Sequence, residues 1–314
     1  MAGTSRSTHG LLGAVVRWGE MVKFSHSVFA LPFALMATFL AGRAAYLAGQ
    51  ACHVYPSPGQ IILIVACMVA ARSVAMTFNR IVDAELDARN PRTQGRAIPA
   101  GVFSKRQAAG FGFAAVAVFE LSCAGFLWLD GNSWPLACSL PVLGYLCFYS
   151  YTKRFTRLSH FVLGSAIALS PVGAWVAIHP GSVGWPALVL MATVTFWIGG
   201  FDIIYACQDV AADRAEGLYS LPSRLGVVPA LWIVRAAHLA TVGLLVLLGD
   251  LSGLGWLYFA GVGMVAVLLA VENALVRPGD LSRVNLAFFT VNGVVSVLLG
   301  LLTVADVLMD PSRR

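Results

Sequence analysis

Charged side chains are scarce in this chain of 314 residues. Only 11% of the residues are charged and 58% are hydrophobic, with a mean hydropathy of +0.78, whereas about a quarter of the residues in an ordinary soluble domain are charged. The net charge of +6 is by itself compatible with a nucleic-acid partner. Because the basic residues lie between long apolar segments, we instead expect a lipid bilayer as the surrounding medium and no nucleic-acid partner.

Paired cysteines and alternating polar patterns are also missing. The six cysteines are scattered, mostly inside apolar segments, and form no CxxC motif. This distribution argues against a zinc site or a disulfide framework and favours small buried thiols. The apolar segments do not alternate with polar residues, as the strands of an outer-membrane barrel would. The sequence therefore argues against a disulfide-stabilised protein, a zinc-binding protein and an outer-membrane barrel.

Long apolar segments are what the sequence has in abundance. A membrane-spanning helix needs about 20 apolar residues, and they recur without a soluble-looking insert. We predict an all-α integral membrane protein with a flexible N-terminal tail (1–22), a single transmembrane domain (23–309) and a C-terminal tail (310–314). The nine predicted transmembrane segments are 26–48, 60–80, 107–129, 134–150, 160–178, 184–206, 229–248, 253–273 and 285–308.

The distribution of Lys and Arg predicts the orientation of these segments. All but four of the 21 basic residues lie before the first segment or around the loops after the second, fourth, sixth and eighth segments. By the positive-inside rule, the N-terminus and these loops are cytoplasmic. The two long polar loops, loop 2/3 (81–106) and loop 6/7 (207–228), therefore lie on one face, and we expect the protein in the cytoplasmic (inner) membrane.

The end of the second segment carries oxygen-bearing side chains at helical spacing. In the stretch NRIVDAELDARN at 79–90, Asn79, Asp83 and Asp87 recur every four residues. On a helix they fall within about 80° of one another, whereas Glu85 points elsewhere. We call Asn79, Asp83 and Asp87 the first acidic row.

A second acidic row begins at the end of the sixth segment. Asp202, Asp209 and Asp213 in the stretch DIIYACQDVAAD fall within about 40° of one another on a continuous helix. One acidic cluster beside arginines is most simply a solvated, salt-bridged loop. Two such rows on the same side of the membrane favour a metal site.

Closely spaced carboxylates repel one another unless a cation joins them. Hard oxygen ligands of this kind suit Mg²⁺, which binds proteins through a few carboxylates together with substrate phosphates. Acids that hold a metal, combined with bases that bind phosphate oxygens, predict a diphosphate site. The basic residues predicted to bind diphosphate on this face are Lys23, Arg72, Arg96, Lys153 and Arg154.

The sequence around these residues resembles the UbiA family of intramembrane aromatic prenyltransferases. The first family motif, Asn-Asp-x-x-Asp-x-x-x-Asp, matches the first acidic row, and the second motif matches Asp209 and Asp213. Arg80 departs from the first motif, which has Asp there, and so removes a possible metal ligand. Further stretches at 23–36, 71–80, 90–101, 149–154 and 202–226 are similar to the branch that prenylates 4-hydroxybenzoate for ubiquinone, and equally to the sister branch in the futalosine route to menaquinone.

The resemblance implies nine transmembrane helices around a central cavity, with a cytoplasmic cap made by loops 2/3 and 6/7. It also implies Mg²⁺-dependent transfer of a polyprenyl group from its diphosphate to an aromatic acceptor. Asp83 and Asp209 would act in catalysis on the leaving diphosphate, and Asp202 or Tyr205 would accept the proton of the alkylated ring. The implied metal ligands are Asn79, Asp83, Asp87, Asp209 and Asp213, and Phe29, Phe33, Phe148 and Tyr149 are expected to line the tunnel for the isoprenoid tail.

An ion-coupled secondary transporter is the alternative from another class. Intramembrane acids, glycine-interrupted helices and basic loops also occur in such carriers. In a carrier, however, the acids lie at mid-membrane depth, whereas both acidic rows lie at the ends of apolar segments. The two rows also leave the bundle on the same side, so the sequence shows no inverted repeat.

Overall fold

The computed structural model describes residues 18–21 and 29–313. Within these ranges the chain is helical, and its only β pairing is an isolated bridge between Arg277 and Asp280. Most of the predicted N-terminal tail and the diphosphate-binding candidate Lys23 lie outside the described residues.

Apolar helices coincide with all nine predicted segments. Ser57 and Ser104 each form a capping box with the glutamine three residues later, which fixes where two of these helices begin. In chain order the helices from residue 29 onward are α1 (Leu31–Leu47), α2 (Pro58–Val82), α3 (Ala84–Arg89), α4 (Lys105–Asp130), α5 (Trp134–Thr152), α6 (Ser159–Ile178), α7 (Trp185–Ala206), α8 (Val210–Ala215), α9 (Leu221–Leu225), α10 (Val227–Leu251), α11 (Trp256–Leu275) and α12 (Asn292–Met309). Short 3₁₀ turns at Pro180–Ser182 and Cys207–Asp209 and a π-helical turn at Leu286–Val291 complete them.

Seven helices of the described ranges are long and apolar enough to cross a bilayer. Helix α1 is apolar but has only 17 residues, and α5 is not among the seven. Large apolar side chains such as Phe113, Trp128 and Leu239 are about three-quarters exposed on the outside of the bundle, where only lipid would cover them favourably. The chain is therefore an integral membrane protein, whereas the predicted count of nine spans is not confirmed.

Three apolar clusters occur among the described residues. Helices α2, α4 and α5 pack around one, α1, α6, α7, α10, α11 and α12 surround the largest, and a third joins α7, α9 and α10 near loop 6/7. Helix α6 contacts the helices of the first two clusters and packs most extensively against α7. Gly164 permits that approach, because a Cβ atom there would lie 2.4 Å from the carbonyl oxygen of Thr195.

Candidate functional site

Both acidic rows occur where a long helix is interrupted. Helix α2 ends at Val82, Asp83 adopts φ −92° and ψ 4°, and α3 begins at Ala84. Helix α7 ends at Ala206 and is followed by a 3₁₀ turn at Cys207–Asp209. The prediction of a continuous helix through the second row is wrong, since this 3₁₀ turn interrupts it. The three residues of the turn add about 60° of rotation relative to an α-helix. The arc spanned by the second row widens accordingly, from about 40° to about 80°.

Asp83 is the most enclosed carboxylate of the first row. Its side chain is 1% exposed and accepts a hydrogen bond of 2.9 Å from the Asn79 amide. Lys153 Nζ lies 3.2 Å from Asp83 Oδ2, and Arg154 Nη2 donates to Asp83 Oδ1 at 3.0 Å. The end of α5 therefore supplies two predicted diphosphate-binding bases to the first row.

Asp87, one turn further along, has one engaged and one unengaged oxygen. Arg96 Nη1 donates to Asp87 Oδ1 at 2.7 Å, whereas Asp87 Oδ2 is buried and has no hydrogen-bond partner among the described residues. Arg80 is also buried and donates to Asn79 Oδ1 at 3.3 Å. The residue that departs from the family motif thus contacts the first acidic row.

Loop 2/3 crosses to the second acidic row through Asn90 and Arg92. Arg92 forms a bidentate contact with Asp209, with Nε at 2.7 Å from Oδ1, and Asn90 Nδ2 donates to the same oxygen at 3.1 Å. Arg92 Nη1 also donates to the Tyr205 hydroxyl at 2.9 Å. Burial alone would lower the pKa of Arg92, but its contacts with Asp209 outweigh burial and raise that pKa above its ordinary value.

Two further contacts reach loop 6/7. The backbone N–H of Tyr219 donates to the carbonyl oxygen of Lys153 at 2.7 Å, and the Lys153 side chain contacts Asp83. On the outside, Arg89 forms a bidentate pair with Glu216, with both N–O distances at 2.7 Å. The hydrogen bond from Arg89 lowers the pKa of Glu216 below its ordinary value. Loops 2/3 and 6/7 are therefore in contact at what we call the loop end of the bundle.

An apolar cavity of about 410 Å³ lies between α2, α4, α5 and α6. Arg72 and Tyr149 are among its few polar lining residues. Tyr149 lies one helical turn before Lys153, which contacts Asp83, so the first row lies near the polar part of this cavity. Of the other aromatic residues predicted to line a tunnel, Phe148 is 47% exposed on the surface, and Phe29 and Phe33 are buried in the largest apolar cluster.

Asp202, the first residue of the second row, is held by a histidine and not, among the described residues, by a Lys or Arg side chain. Its Oδ2 lies 2.7 Å from His160 Nδ1, and His160 is 4% exposed. The other ring nitrogen, Nε2, accepts a hydrogen bond of 3.2 Å from the backbone N–H of Leu221. His160 therefore connects Asp202 with loop 6/7.

Sequence reasoning missed three residues that hold the site together: Asn90, Arg92 and His160. The turn signal Asn90-Pro91 was the available sign that the chain changes direction there. Nothing local indicates that Arg92 reaches Asp209, 117 residues later. A single histidine at a helix end is equally uninformative, because most such residues satisfy a local hydrogen bond.

The residues present fit a magnesium ion by their chemistry. Within the described ranges, no three Asp, Glu, His or Cys side chains converge into a ready metal site, since basic side chains engage Asp83, Asp87 and Asp209. The donor set of Asn79, Asp83, Asp87, Asp209 and Asp213 nevertheless consists of the hard oxygen ligands that Mg²⁺ prefers. The unengaged buried oxygen of Asp87 is an available position for such an ion.

Comparison with known proteins identifies the class to which this fold and this site belong. The family model described as "UbiA prenyltransferase family" matches residues 23–294. The chain is 29% identical over 216 residues to the 4-hydroxybenzoate octaprenyltransferase of Edwardsiella ictaluri, covering 68% of this chain and 73% of that protein. It is also 29% identical to a UbiA homologue from Aeropyrum pernix K1 in its apo structure, with a TM-score of 0.77 over 90% of this chain and 98% of that one.

A third comparison shows the same fold at lower identity. The UbiA homologue from Archaeoglobus fulgidus bound to DMAPP and Mg²⁺ superposes with a TM-score of 0.67, at 16% identity, over 93% of this chain and 99% of that one. Taken with the family match over most of the sequence, these findings show that the chain belongs to the UbiA prenyltransferase family. The protein is accordingly a membrane-embedded prenyltransferase.

Proposed function

We propose that the protein transfers a polyprenyl group from polyprenyl diphosphate to 4-hydroxybenzoate or a related benzoate, with Mg²⁺, in ubiquinone or menaquinone biosynthesis. The observation that carries this proposal is that loop 2/3, which extends from the first row, also holds Asp209 of the second row through Asn90 and Arg92, while Lys153 contacts Asp83. Oxygen ligands gathered beside basic side chains are suited to bind a metal ion together with phosphate oxygens.

The diphosphate would bind by exchanging partners with the paired side chains at the loop end. Lys153, Arg154 and Arg96 now neutralise Asp83 and Asp87, and phosphate oxygens would take over these charged hydrogen bonds. Lys23, which lies outside the described residues, is proposed to join them. Mg²⁺ held by Asn79, Asp83, Asp87, Asp209 and Asp213 would supply the positive charge that stabilises the departing diphosphate.

The isoprenoid tail would lie in the apolar cavity, and Arg72 would bind the diphosphate where the cavity turns polar. Arg72 and Tyr149 line that part of the cavity, and the remaining lining is almost entirely apolar, with residues such as Phe119 and Phe126 from α4. Water is kept away from the reacting carbon by such a lining, so the allylic cation reacts with the ring and not with solvent.

The reaction consists of one bond exchange at carbon and one proton transfer. The allylic C–O bond breaks with its electron pair leaving on the diphosphate, and the ring carbon of the acceptor bonds to the allylic carbon. The ring C–H proton then moves to a base, and the C–H electrons restore the aromatic ring. We propose Asp202 as this base, because its Oδ1 is not used by the hydrogen bond to His160, whereas the Tyr205 oxygen already accepts from Arg92.

The membrane arrangement belongs to the same proposal. We propose that residues 23–309 form one transmembrane domain of nine spans, flanked by tails at 1–22 and 310–314. The N-terminus and the loop end would face the cytoplasm, with the protein in the inner membrane. The excess of basic residues at the loop end supports this orientation.

The experiment that tests the proposal uses purified protein in detergent with Mg²⁺. Radiolabelled farnesyl or geranylgeranyl diphosphate is incubated with a panel of arenes that includes 4-hydroxybenzoate. We expect a prenylated product that disappears with chelator and with Asp83→Ala or Asp209→Ala. Glu85→Ala is the matched control, because Glu85 is an exposed acid of the same loop that pairs with Lys105. Absence of product with every acceptor would contradict the proposal, and ion flux in liposomes without transfer would favour the transporter.

A further inference from the structure

We propose that His160 is a positioning residue that connects the docking of loop 6/7 to the orientation of the Asp202 carboxylate. This inference rests on the proposed function, in which Asp202 accepts the proton of the alkylated ring. It concerns a residue in the first turn of α6, remote in sequence from both acidic rows.

The hydrogen-bond network assigns one neutral tautomer to His160. A backbone N–H can only donate, so His160 Nε2 must offer its lone pair to the N–H of Leu221 at 3.2 Å. The proton of the neutral ring is then on Nδ1, which donates to Asp202 Oδ2 at 2.7 Å. With the opposite tautomer, a lone pair on Nδ1 would face the carboxylate and repel it. The Leu221 N–H therefore selects the tautomer that holds Asp202.

The segment 219–221 of loop 6/7 contacts several parts of the site at once. The backbone N–H of Tyr219 donates to the carbonyl oxygen of Lys153 at 2.7 Å. Ser220 caps α9, because its hydroxyl accepts from the backbone N–H of Ser223 at 3.3 Å. Leu221 is 3% exposed and packs in an apolar cluster with residues of α7 and α10. Docking of this short segment thus places both a backbone contact with Lys153 and the donor to His160.

The result is a carboxylate with one oxygen held and one oxygen left for chemistry. His160 engages Asp202 Oδ2 at 2.7 Å, and the Asp202 side chain remains 24% exposed, so it is accessible beyond this contact. Asp202 Oδ1 would take the ring proton, so a C–H bond breaks, an O–H bond forms and the electron pair returns to the ring. His160 keeps its Nδ1 proton throughout and does not touch the substrate. Its effect is on where the carboxylate points.

Two substitutions separate the two hydrogen bonds of His160. In His160→Asn the amide nitrogen lies near the position of Nδ1, so donation to Asp202 is kept and the contact with Leu221 is lost. In His160→Gln the amide oxygen reaches the position of Nε2, so acceptance from Leu221 is kept and donation to Asp202 is lost. Both variants remove the ring, so any loss of packing is common to the two.

The measurements are kcat, the KM for farnesyl diphosphate, and the kinetic isotope effect with an acceptor deuterated at the alkylated ring position. We expect His160→Gln to lower kcat by about 100-fold, the scale of a lost proton-transfer contribution, with KM for the diphosphate unchanged and a primary isotope effect that the wild type lacks. His160→Asn should retain kcat within about threefold of the wild type, because the donor to Asp202 remains.

Three results would overturn the role of His160. The first is an equal loss of kcat in the two variants with no primary isotope effect in either. The second is normal kcat in His160→Gln. The third needs no variant: ¹⁵N spectra of histidine-labelled wild type should show the Nδ1–H tautomer, and the Nε2–H tautomer would refute the assignment even if the variants fail to fold. An inactive wild type would refute the proposed function itself, whereas an active wild type with any of these results would refute only the role of His160.

Discussion

Charged residues at the two ends of the bundle are neutralised by different kinds of groups. At the end opposite the loop end, Arg43 is 2% exposed and donates to the backbone carbonyl oxygens of Ser252, Gly253, Pro311 and Arg313. At the loop end, Asp83 and Asp209 are engaged mainly by side chains, chiefly Lys153 and Arg154 for the first and Arg92 for the second.

This difference distinguishes a charged residue that stabilises the fold, such as Arg43, from charged residues at the loop end that can bind a ligand. A backbone carbonyl group cannot move away without distorting the chain. The Arg43 side chain is therefore fixed once the segments that supply these carbonyl groups have packed in the fold. Lys and Arg side chains change rotamer at little cost and can transfer their hydrogen bonds to an incoming anion. We therefore expect substitutions at the loop end to affect activity and substitutions at the opposite end to affect stability.

The largest effect on activity is expected for Asp83→Asn. This change keeps the shape of the side chain and removes the negative charge that Lys153 and Arg154 now neutralise. Prenyl transfer should fall by at least about 100-fold, the scale of a lost electrostatic contribution to the transition state. The melting temperature in detergent should remain within a few degrees of the wild-type value. A large drop in melting temperature would place Asp83 among the residues that hold the fold.

The converse effect is expected for Arg43→Met. The substitution removes the donor from carbonyl oxygens of half-buried and exposed residues and leaves a buried cavity for the new side chain, at a cost on the order of 2 kcal/mol. Thermal unfolding in detergent should shift clearly downward, while kcat per folded molecule stays unchanged. Arg313→Ala is the matched control at the same end, because the Arg313 side chain is 40% exposed and pairs with Asp310. Selective loss of kcat in Arg43→Met would break the distinction between the two ends.

A smaller and more specific effect is expected for Lys153→Ala. Because the Lys153 ammonium lies 3.2 Å from Asp83 at the loop end, its loss should weaken diphosphate binding and leave the acceptor contacts intact. The KM for the prenyl diphosphate should rise by about tenfold, the free-energy scale of one charge-assisted hydrogen bond. The KM for the aromatic acceptor should change little. Equal increases in both constants would argue against diphosphate binding by Lys153.

The smallest effect is expected at the exposed pair between Arg89 and Glu216. Arg89 lowers the pKa of Glu216, so the contribution of this pair is present above the unfolded-state pKa of Glu216 and is lost as the pH falls through the lower folded-state value. Limited proteolysis of loop 6/7 should increase only at acidic pH in the wild type. In Arg89→Ala the pair is absent at every pH, so the increase should already be present at neutral pH and should not grow further from this pair as the pH falls. Identical profiles would show that this pair does not hold the two loops together.

The positions of the helices could be predicted because an apolar segment long enough for a bilayer is a local property of the sequence. The positions of the acidic residues along the helix ends follow from residue spacing in the same way. The interruptions at Asp83 and at Cys207–Asp209 were not predicted, because tertiary contacts decide whether a helix continues.

The pairing of side chains from distant parts of the chain depends on the tertiary structure and cannot be predicted from local sequence patterns. The contact between Arg92 and Asp209 joins residues 117 positions apart, and the contact between His160 and Leu221 spans 61 positions. A single chain gives no signal for such pairs. The predicted role of Lys153 rested on its position on the same membrane face as the acidic rows, whereas its contact with Asp83 is visible in the structure alone.

The most direct test of a joint site is a titration of Mg²⁺ in the presence of a non-reactive thio-analogue of farnesyl diphosphate. It is carried out calorimetrically on the wild type, on Asp83→Asn, on Asp209→Asn and on the double variant. If the two rows act together, either single substitution should weaken the combined binding by at least about tenfold, and the double variant should be little weaker than the singles. Intact binding in either single variant, or strictly additive losses, would contradict a site shared by the two rows.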